Sequence, residues 1–168
     1  ACVTPWNVPV QINLAKCIPA LAAGCTVVLK AAPETPWSAT MLGRVVKEYT
    51  DMPAGVFNVI TAQDPKELGD LLVGDSRVDM VSFTGSTAVG KHIMARASET
   101  VKKVFLELGG KSANIILDDA DLNSSLLSAL AVCFHAGQGC AINTRLLIPA
   151  DRQAEVEELL NIYFGFIE

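Results

Sequence analysis

Residues 78–97, VDMVSFTGSTAVGKHIMARA, join an apolar run to a helical pattern through a short turn that contains glycine. Val78 to Phe83 is predicted to be a strand because it is short, rich in valine and bounded by turn residues. Ser86 to Ala97 has the apolar spacing of a helix. Strand–turn–helix units of this size build parallel sheets. The stretch therefore predicts an α/β fold.

The same alternation extends in both directions from this stretch. Further strands are predicted at Cys25–Lys30, Val56–Ile60, Val101–Leu106, Ala113–Leu117 and Arg145–Ile148. Further helices are predicted at Gln11–Ala23, Pro36–Tyr49, Asp64–Val73, Asp121–Phe134 and Asp151–Tyr163. Asp64 before Pro65 is typical of a helix N-cap. The whole pattern predicts a parallel sheet with flanking helices, and the Gly109-Gly110 pair predicts a boundary between two domains, 1–108 and 109–168.

Composition excludes several classes of function. The chain has 168 residues, 51% of them apolar, and a formal net charge of −5. Nucleic-acid binding needs a basic face, which this charge disfavours. No apolar run approaches the length of a membrane span, and no signal peptide is visible. Five cysteines without a CxxC pair or a metal-like cluster are typical of free thiols in a reducing cytoplasm.

Cys140 follows two glycines in His135-Ala136-Gly137-Gln138-Gly139-Cys140. A thiolate attacks carbonyl carbon well when a nearby base or a lowered pKa activates it. The alternative is a buried structural thiol, which is the common fate of a free cysteine. We apply that alternative to the other four cysteines, at positions 2, 17, 25 and 133.

Glu107 lies in an apolar strand directly before the Gly109-Gly110 pair. Burial of a carboxylate raises its pKa towards the range of a general base. The alternative is a structural ion pair. Asn7 lies between Pro5 and Pro9, which restrict its backbone and favour a rigid amide donor for an oxyanion. The alternative there is an ordinary turn asparagine.

Two further positions could bind a phosphate or a sugar. Gly85 and Ser86 lie where a strand turns into a helix, and a helix N-terminus offers free N–H groups to a pyrophosphate. The spacing GSTAVG differs from the GxGxxG fingerprint, so a plain turn is the alternative. Lys30 ends a predicted strand, where ligands of parallel sheets bind. A solvated lysine is the alternative there.

Six segments together resemble the aldehyde dehydrogenase superfamily: TPWNVPV, CTVVLKAAPETP, GVFNVI, VSFTGSTAVG, LELGGKSANIIL and AGQGCAINTR. The resemblance covers nearly the whole chain and implies a Rossmann-like, doubly wound sheet. It implies Cys140 as the nucleophile and Glu107 as the general base. It implies Asn7, together with the Cys140 backbone N–H, as the oxyanion donor.

The resemblance also implies a dinucleotide, NAD with NADP as the alternative. Lys30 and Glu34 would bind the adenosine ribose, Gly85 and Ser86 the pyrophosphate, and Val89 would lie near the adenine. Leu108 and Gly109 would lie near the nicotinamide, and Trp6 would belong to the same cofactor site. Many family members have a glutamate three residues after the lysine, where this chain has Pro33.

The implied function is oxidation of an aldehyde to a carboxylic acid through a cysteine thiohemiacetal and thioester. Residues 1–108 would be the C-terminal part of a cofactor-binding domain, and residues 109–168 the beginning of a catalytic domain. Family members are much longer, so we expect a fragment that is inactive alone, and a cytoplasmic homo-oligomer at full length. Residues 161–168 do not follow the family pattern. The alternatives are a coenzyme A-acylating semialdehyde dehydrogenase and a non-catalytic binding remnant.

Overall fold

The computed structural model describes residues 1–167. These residues form two compact units, of which the first spans Ala1–Leu108 and the second begins at Gly109. Glu168, the last residue of the segment 161–168 discussed above, lies outside the described residues.

The first unit is a five-stranded parallel sheet with helices between its strands. Its elements are β1 Cys2–Val3, α1 Pro9–Ala22, β2 Val27–Lys30, α2 Pro36–Tyr49, β3 Phe57–Ile60, α3 Pro65–Gly74, β4 Met80–Gly85, α4 Thr87–Ser98 and β5 Lys103–Leu108. The strand order is β3-β2-β1-β4-β5, and every pair is parallel. The predicted parallel α/β sheet with flanking helices is confirmed.

The core of this unit lies on both faces of the sheet. On one face Cys17 of α1 and Ala39 of α2 pack with Leu29 of β2. On the other face Val73 of α3 and Ile93 of α4 pack with residues of β1 and β4. Because helices cover both faces, the central strands read as nearly continuous apolar runs rather than as an alternating pattern.

The chain reverses its direction of winding at β1. From β1 it moves outwards through β2 to β3, and it then returns past β1 to β4 and β5. The loops that follow β1 and β4 therefore leave the sheet towards opposite faces. Such a switch point opens a crevice at the carboxyl ends of the strands, where ligands of open α/β sheets bind.

The first unit differs from the sequence predictions in one strand that was not predicted and in several element bounds; β4, for example, spans Met80–Gly85 rather than Val78–Phe83. Strand β1 was not predicted, because two residues before Thr4-Pro5 are too few to show a periodic pattern. The last strand begins at Lys103 rather than at Val101. Val101 has φ of 55°, a left-handed conformation that no strand residue adopts.

The second unit contains a two-stranded parallel sheet, β6 Ala113–Ile115 and β7 Arg145–Leu147. Helices α5 Leu122–Ser125 and α6 Gln153–Phe164 pack with it, and a short 3₁₀ turn at Ala150–Arg152 precedes α6. Its buried core residues come from the residue that follows β6, from α5, from the residue that follows α5 and from α6: Ile116, Leu122, Leu126 and Val156.

The predicted helix Asp121–Phe134 is wrong for most of its length. The α-helix ends at Ser125, and Leu126–Gly137 is a 3₁₀ segment. It is interrupted near its end, because Phe134 is extended and His135 and Ala136 have φ of 54° and 53°. Periodicity of apolar residues does not separate these two helix types, since both repeat near every third residue.

Asp64 is the N-cap of α3, as predicted. Its Oδ1 accepts a hydrogen bond from the backbone N–H of Lys66 at 2.8 Å and a longer one from Glu67 at 3.4 Å. Replacing Asp64 by alanine is expected to destabilise the chain by about 1 kcal/mol, because two N–H groups lose their acceptor. Urea unfolding measures the loss. Asp51→Ala in an exposed loop is the control, and an equal loss in both variants would contradict a capping role.

Within residues 1–167, none of the helices is both long enough and apolar enough to cross a membrane.

Candidate functional site

The carboxyl edge of the first sheet gathers most of the residues predicted to bind a cofactor. Lys30 pairs with Val3, and Val3 pairs with Phe83 on its other side. One residue further along, Thr84 pairs with Glu107. Neighbouring strands lie about 4.8 Å apart, so these residues lie side by side along the carboxyl ends of the strands.

Lys30 is the last residue of β2 and is only 4% exposed. Its stem runs beside α3: a Cβ atom placed on Gly69 would lie 3.6 Å from Cε of Lys30. Burial lowers the pKa of Lys30, and the nearby Glu34 carboxylate opposes this shift. Glu34 itself is exposed in the turn before α2.

The Lys30 ammonium keeps donor capacity for a ligand. Within the described residues its Nζ donates one long hydrogen bond, 3.5 Å, to the carbonyl oxygen of Ala31. An ammonium has three N–H donors, and burying it without partners is costly. A sugar hydroxyl or a phosphate oxygen would satisfy the remaining donors. Binding of the adenosine ribose by Lys30 stays a prediction, and these donors are compatible with it.

Gly85 ends β4, and Ser86 caps the helix that follows. The Ser86 Oγ accepts a hydrogen bond from the N–H of Val89 at 3.3 Å. A Cβ atom on Gly85 would lie only 2.5 Å from Cζ of Phe83, so the buried ring requires glycine there. The N-terminus of α4, with Val89 exposed in its first turn, offers N–H donors to an anion.

Leu108 is the last residue of β5 and packs close to α4. A Cβ atom on Gly90 would lie 2.8 Å from a methyl carbon of Leu108, so the helix approaches the strand at its glycine. Leu108 is half-buried. Gly109, predicted to lie near the nicotinamide, is the first residue of the second unit and is exposed.

Glu107 is exposed, contrary to the burial that we expected from its apolar strand. Residues of β5 alternate: Val104, Leu106 and Leu108 pack against the α4 side of the core. Lys103, Phe105 and Glu107 point to the opposite face, and all three are exposed. A strand at the sheet edge is covered on one face only, which leaves this carboxylate accessible to solvent.

Lys16 of α1 is a polar neighbour of Glu107 that the sequence interpretation did not single out. Its Nζ donates to Ser82 Oγ at 2.9 Å and lies 5.5 Å from the centre of the Phe105 ring. Burial lowers the pKa of Lys16, and the charge of Glu107 is among the effects that oppose this. Asn13 and Cys17 are the buried residues of α1. Lys16 lies three residues after Asn13 and therefore on the buried side of α1. That spacing is the sequence feature that could have identified it.

Asn7 and Trp6 lie in the loop between β1 and α1, next to the switch point. The loop is anchored at its start, where Thr4 N–H and Thr4 Oγ1 donate to the carbonyl oxygen of Lys30 at 3.2 and 3.4 Å. Pro9 opens α1 at its other end. Asn7 is half-buried and Trp6 is 45% exposed.

Cys140 belongs to the second unit, where it follows the interrupted 3₁₀ segment. Three consecutive residues, His135, Ala136 and Gly137, have positive φ. A Cβ atom on Gly139 would lie 2.7 Å from the Ile142 side chain, so a larger residue beside the cysteine would force Ile142 to move. Cys140 is half-buried, which leaves its thiol partly accessible.

A doubly wound parallel sheet with a buried lysine and a helix N-terminus at its switch point is typical of dinucleotide-binding enzymes. Residues 1–163 match the aldehyde dehydrogenase family, and the chain belongs to that family.

Two relatives illustrate the similarity. The chain is 47% identical over 158 residues to 3-succinoylsemialdehyde-pyridine dehydrogenase of a Pseudomonas species, covering 94% of this chain and 33% of the relative. It is 45% identical over 149 residues to succinate-semialdehyde dehydrogenase [NADP(+)] of Escherichia coli (strain K12), covering 88% and 30%. The chain thus spans about a third of the length of the curated relatives that it matches.

Solved structures show the same fold. Aldehyde dehydrogenase C of Pseudomonas syringae, in complex with NAD+ and octanal, is 41% identical with a TM-score of 0.93, over 99% of this chain and 34% of that one. Betaine aldehyde dehydrogenase of Staphylococcus aureus, in complex with NAD+, is 39% identical with a TM-score of 0.93, over 99% and 33%.

Proposed function

We propose that this chain supplies the cofactor edge and the nucleophile of an NAD(P)-dependent enzyme that oxidises aldehydes to carboxylic acids. The observation that carries the cofactor part is the buried, donor-rich Lys30 beside the switch point. Membership of the aldehyde dehydrogenase family supports the aldehyde chemistry. The first unit would be the C-terminal part of a cofactor-binding domain, and the second the beginning of a catalytic domain.

Cys140 is the proposed nucleophile. Its thiolate sulfur attacks the aldehyde carbon, a C–S bond forms, and the carbonyl oxygen becomes an oxyanion. The Asn7 side-chain amide and the Cys140 backbone N–H donate hydrogen bonds to that oxyanion, which stabilises the charge as it develops. Acceptance of a hydride from the substrate carbon is the chemistry that NAD(P)+ supplies when bound.

Glu107 is the proposed base for the second half of the reaction. Loss of the hydride leaves a thioester on Cys140. The exposed Glu107 carboxylate takes a proton from a water molecule, whose oxygen attacks the thioester carbon. The C–S bond then breaks, the thiolate leaves, and the carboxylic acid is released. Transfer of the acyl group to coenzyme A would need no such base.

A hybrid enzyme tests this function directly. In it, residues 1–163 of this chain replace the matching segment of the Escherichia coli succinate-semialdehyde dehydrogenase, which supplies the remaining length. We expect aldehyde-dependent reduction of the dinucleotide, followed by absorbance at the nicotinamide band. A hybrid that melts cooperatively yet shows no turnover with any of a panel of aldehydes would contradict the proposed function.

Lys30→Met in the hybrid enzyme is expected to weaken dinucleotide binding by roughly 10- to 100-fold, the equivalent of one or two hydrogen bonds to a charged donor. Methionine can follow the same path beside Gly69, so the packing should survive. Calorimetric titration with NAD+ and NADP+ measures the change. Lys47→Met, at an exposed position of α2, is the matched control. Unchanged affinity in Lys30→Met would remove this lysine from the cofactor site.

A further inference from the structure

Strand β5 forms one edge of the five-stranded sheet. Within the described residues it pairs with β4 alone. The Lys103 N–H donates to the carbonyl oxygen of Asp79 at 3.2 Å, so the backbone groups of Lys103 and of every second residue after it face β4. The N–H and C=O groups of the alternate residues, Val104 and Leu106, therefore point away from the sheet. A row of such groups can pair with a strand of another chain.

The side chains on the open face of β5 carry both signs of charge. Lys103, Phe105 and Glu107 lie on the face opposite α4, and all three are exposed, with Phe105 56% exposed. Neither Lys103 nor Glu107 forms an ion pair with another described residue. The strand thus presents a cation, an aromatic ring and an anion at equal spacing.

This order is complementary to itself under a two-fold axis. When two copies of β5 meet antiparallel with Phe105 opposite Phe105, Lys103 of each copy lies opposite Glu107 of the other. Val104 then lies opposite Leu106, and their outward N–H and C=O groups bond to each other. The aromatic and charged pairs fall at the positions without hydrogen bonds, where side chains approach most closely. Aromatic pairs and opposite charges at facing positions stabilise a sheet.

Other registers and the other edge of the sheet lack this match. Moving the second strand by two residues places Phe105 opposite Lys103 or Glu107, and the remaining charge then has no partner in β5. A shift by one residue sets outward-pointing backbone groups against inward-pointing ones and reverses the faces. Strand β3, Phe57–Ile60, forms the other edge and contains no charged residue.

We propose that β5 is the contact surface between two copies of this chain, which pair antiparallel about Phe105 and join their sheets into one. The proposal rests on the strand edge and its charges, and it does not depend on the proposed reaction. In the pair, the Glu107 carboxylate faces Lys103 of the second copy. If Glu107 is also the base proposed above, association and water activation compete for that carboxylate.

Sedimentation velocity of the 168-residue chain over a concentration series tests whether the pair forms. We expect a reversible monomer–dimer equilibrium with a dissociation constant of roughly 1–100 μM, as is typical of a small interface. Raising the salt concentration to about 0.5 M should weaken it several-fold, because exposed ion pairs are screened. A chain that stays monomeric throughout the series would overturn the proposal.

Charge reversal identifies the surface. Lys103→Glu and Glu107→Lys each set like charges opposite one another, so each variant alone should associate roughly tenfold or more weakly. An equimolar mixture of the two variants restores opposite charges in both pairs, and its association should return to that of the parent chain. Lys47→Glu on α2 and Glu158→Lys on α6 change exposed positions and should dimerise as the parent does. A dimer that survives both reversals would overturn the proposal.

Hydrogen exchange of the parent chain tests the backbone pairing without any variant. The Val104 and Leu106 N–H groups should exchange at least roughly tenfold more slowly in concentrated than in dilute solution. The Lys103 N–H, already bonded to Asp79, should change little and is the internal control. Circular dichroism establishes that each charge variant folds. Dimerisation without added protection of Val104 and Leu106 would overturn the proposal, since the two edges would then not be paired.

Discussion

Replacing Cys140 by alanine in the hybrid enzyme is expected to lower turnover of aldehyde by at least about three orders of magnitude, since no covalent intermediate can form without the sulfur. The remaining activity would come from binding and orientation alone. Dinucleotide affinity should change little, because all the proposed cofactor contacts except Gly109 lie in the first unit. Steady-state reduction of the dinucleotide and calorimetric titration measure the two quantities separately.

Cys133→Ala is the matched control for this prediction. Cys133 lies in the same unit, seven positions earlier, and its side chain is exposed. We expect its turnover to match that of the parent hybrid. Loss of activity in Cys133→Ala with retention in Cys140→Ala would move the nucleophile to the other cysteine. Equal activity in both variants would mean that neither thiol attacks the substrate.

Glu107→Gln in the hybrid enzyme is expected to spare the first half of the reaction and slow the second by about 100-fold or more, the usual contribution of a general base. Glutamine has nearly the same shape but cannot take a proton from water, so the thioester should accumulate. Rapid mixing should then show a burst of reduced dinucleotide close to one equivalent per site, followed by slow turnover.

The burst distinguishes this role from others. An exposed residue at the end of β5 tolerates an isosteric change, so a general loss of stability is not expected. Glu48→Gln, which breaks an exposed pair with Arg44 in α2, is the control and should behave as the parent. If both phases of Glu107→Gln slow equally, the carboxylate acts before thioester formation, and another group activates the water.

Local features of the sequence predicted most of the first unit correctly. The bounds of α2 and the capping of α3 by Asp64 follow from proline, acidic and apolar residues a few positions apart. These signals act within one or two turns of the chain, so they can be interpreted without knowing what packs nearby. Strand β1 was not predicted, because two residues are too few to show a periodic pattern, although β1 is the central strand of the sheet.

The second unit was predicted less well, for a related reason. The run from Asp121 to Phe134 is apolar at helical spacing, yet only its beginning is α-helical. Whether such a run winds as an α-helix or a 3₁₀ helix depends on the packing of Leu126 and Ala129 against their neighbours. The left-handed residues His135 and Ala136 have only a weak local sequence signal, because histidine is merely enriched at positive φ and alanine is uncommon there.

The candidate site shows the same division. Sequence motifs identified Lys30, Glu107 and Cys140 as residues able to bind a ligand, act as a base and act as a nucleophile. Each also had an alternative with no role in function. The sequence could not show which side chains are buried: the structure reverses the burial expected for Glu107, and it leaves Lys30, for which a solvated side chain was the alternative, only 4% exposed. Lys30 is buried because α3 supplies Gly69 beside its stem, whereas Glu107 is exposed because its face of an edge strand is uncovered.

By itself, then, the sequence determined the α/β class, most element bounds and the residue types able to bind a dinucleotide or attack a carbonyl. Only the tertiary structure decided the strand order, the switch point between β1 and β4, and the burial of Cys2 and Cys17 in one core cluster. The physical reason is the separation in sequence between the residues that interact. Helix caps and apolar periods arise from neighbours in the chain, whereas burial and strand pairing depend on residues that are distant in sequence and meet only when the core forms.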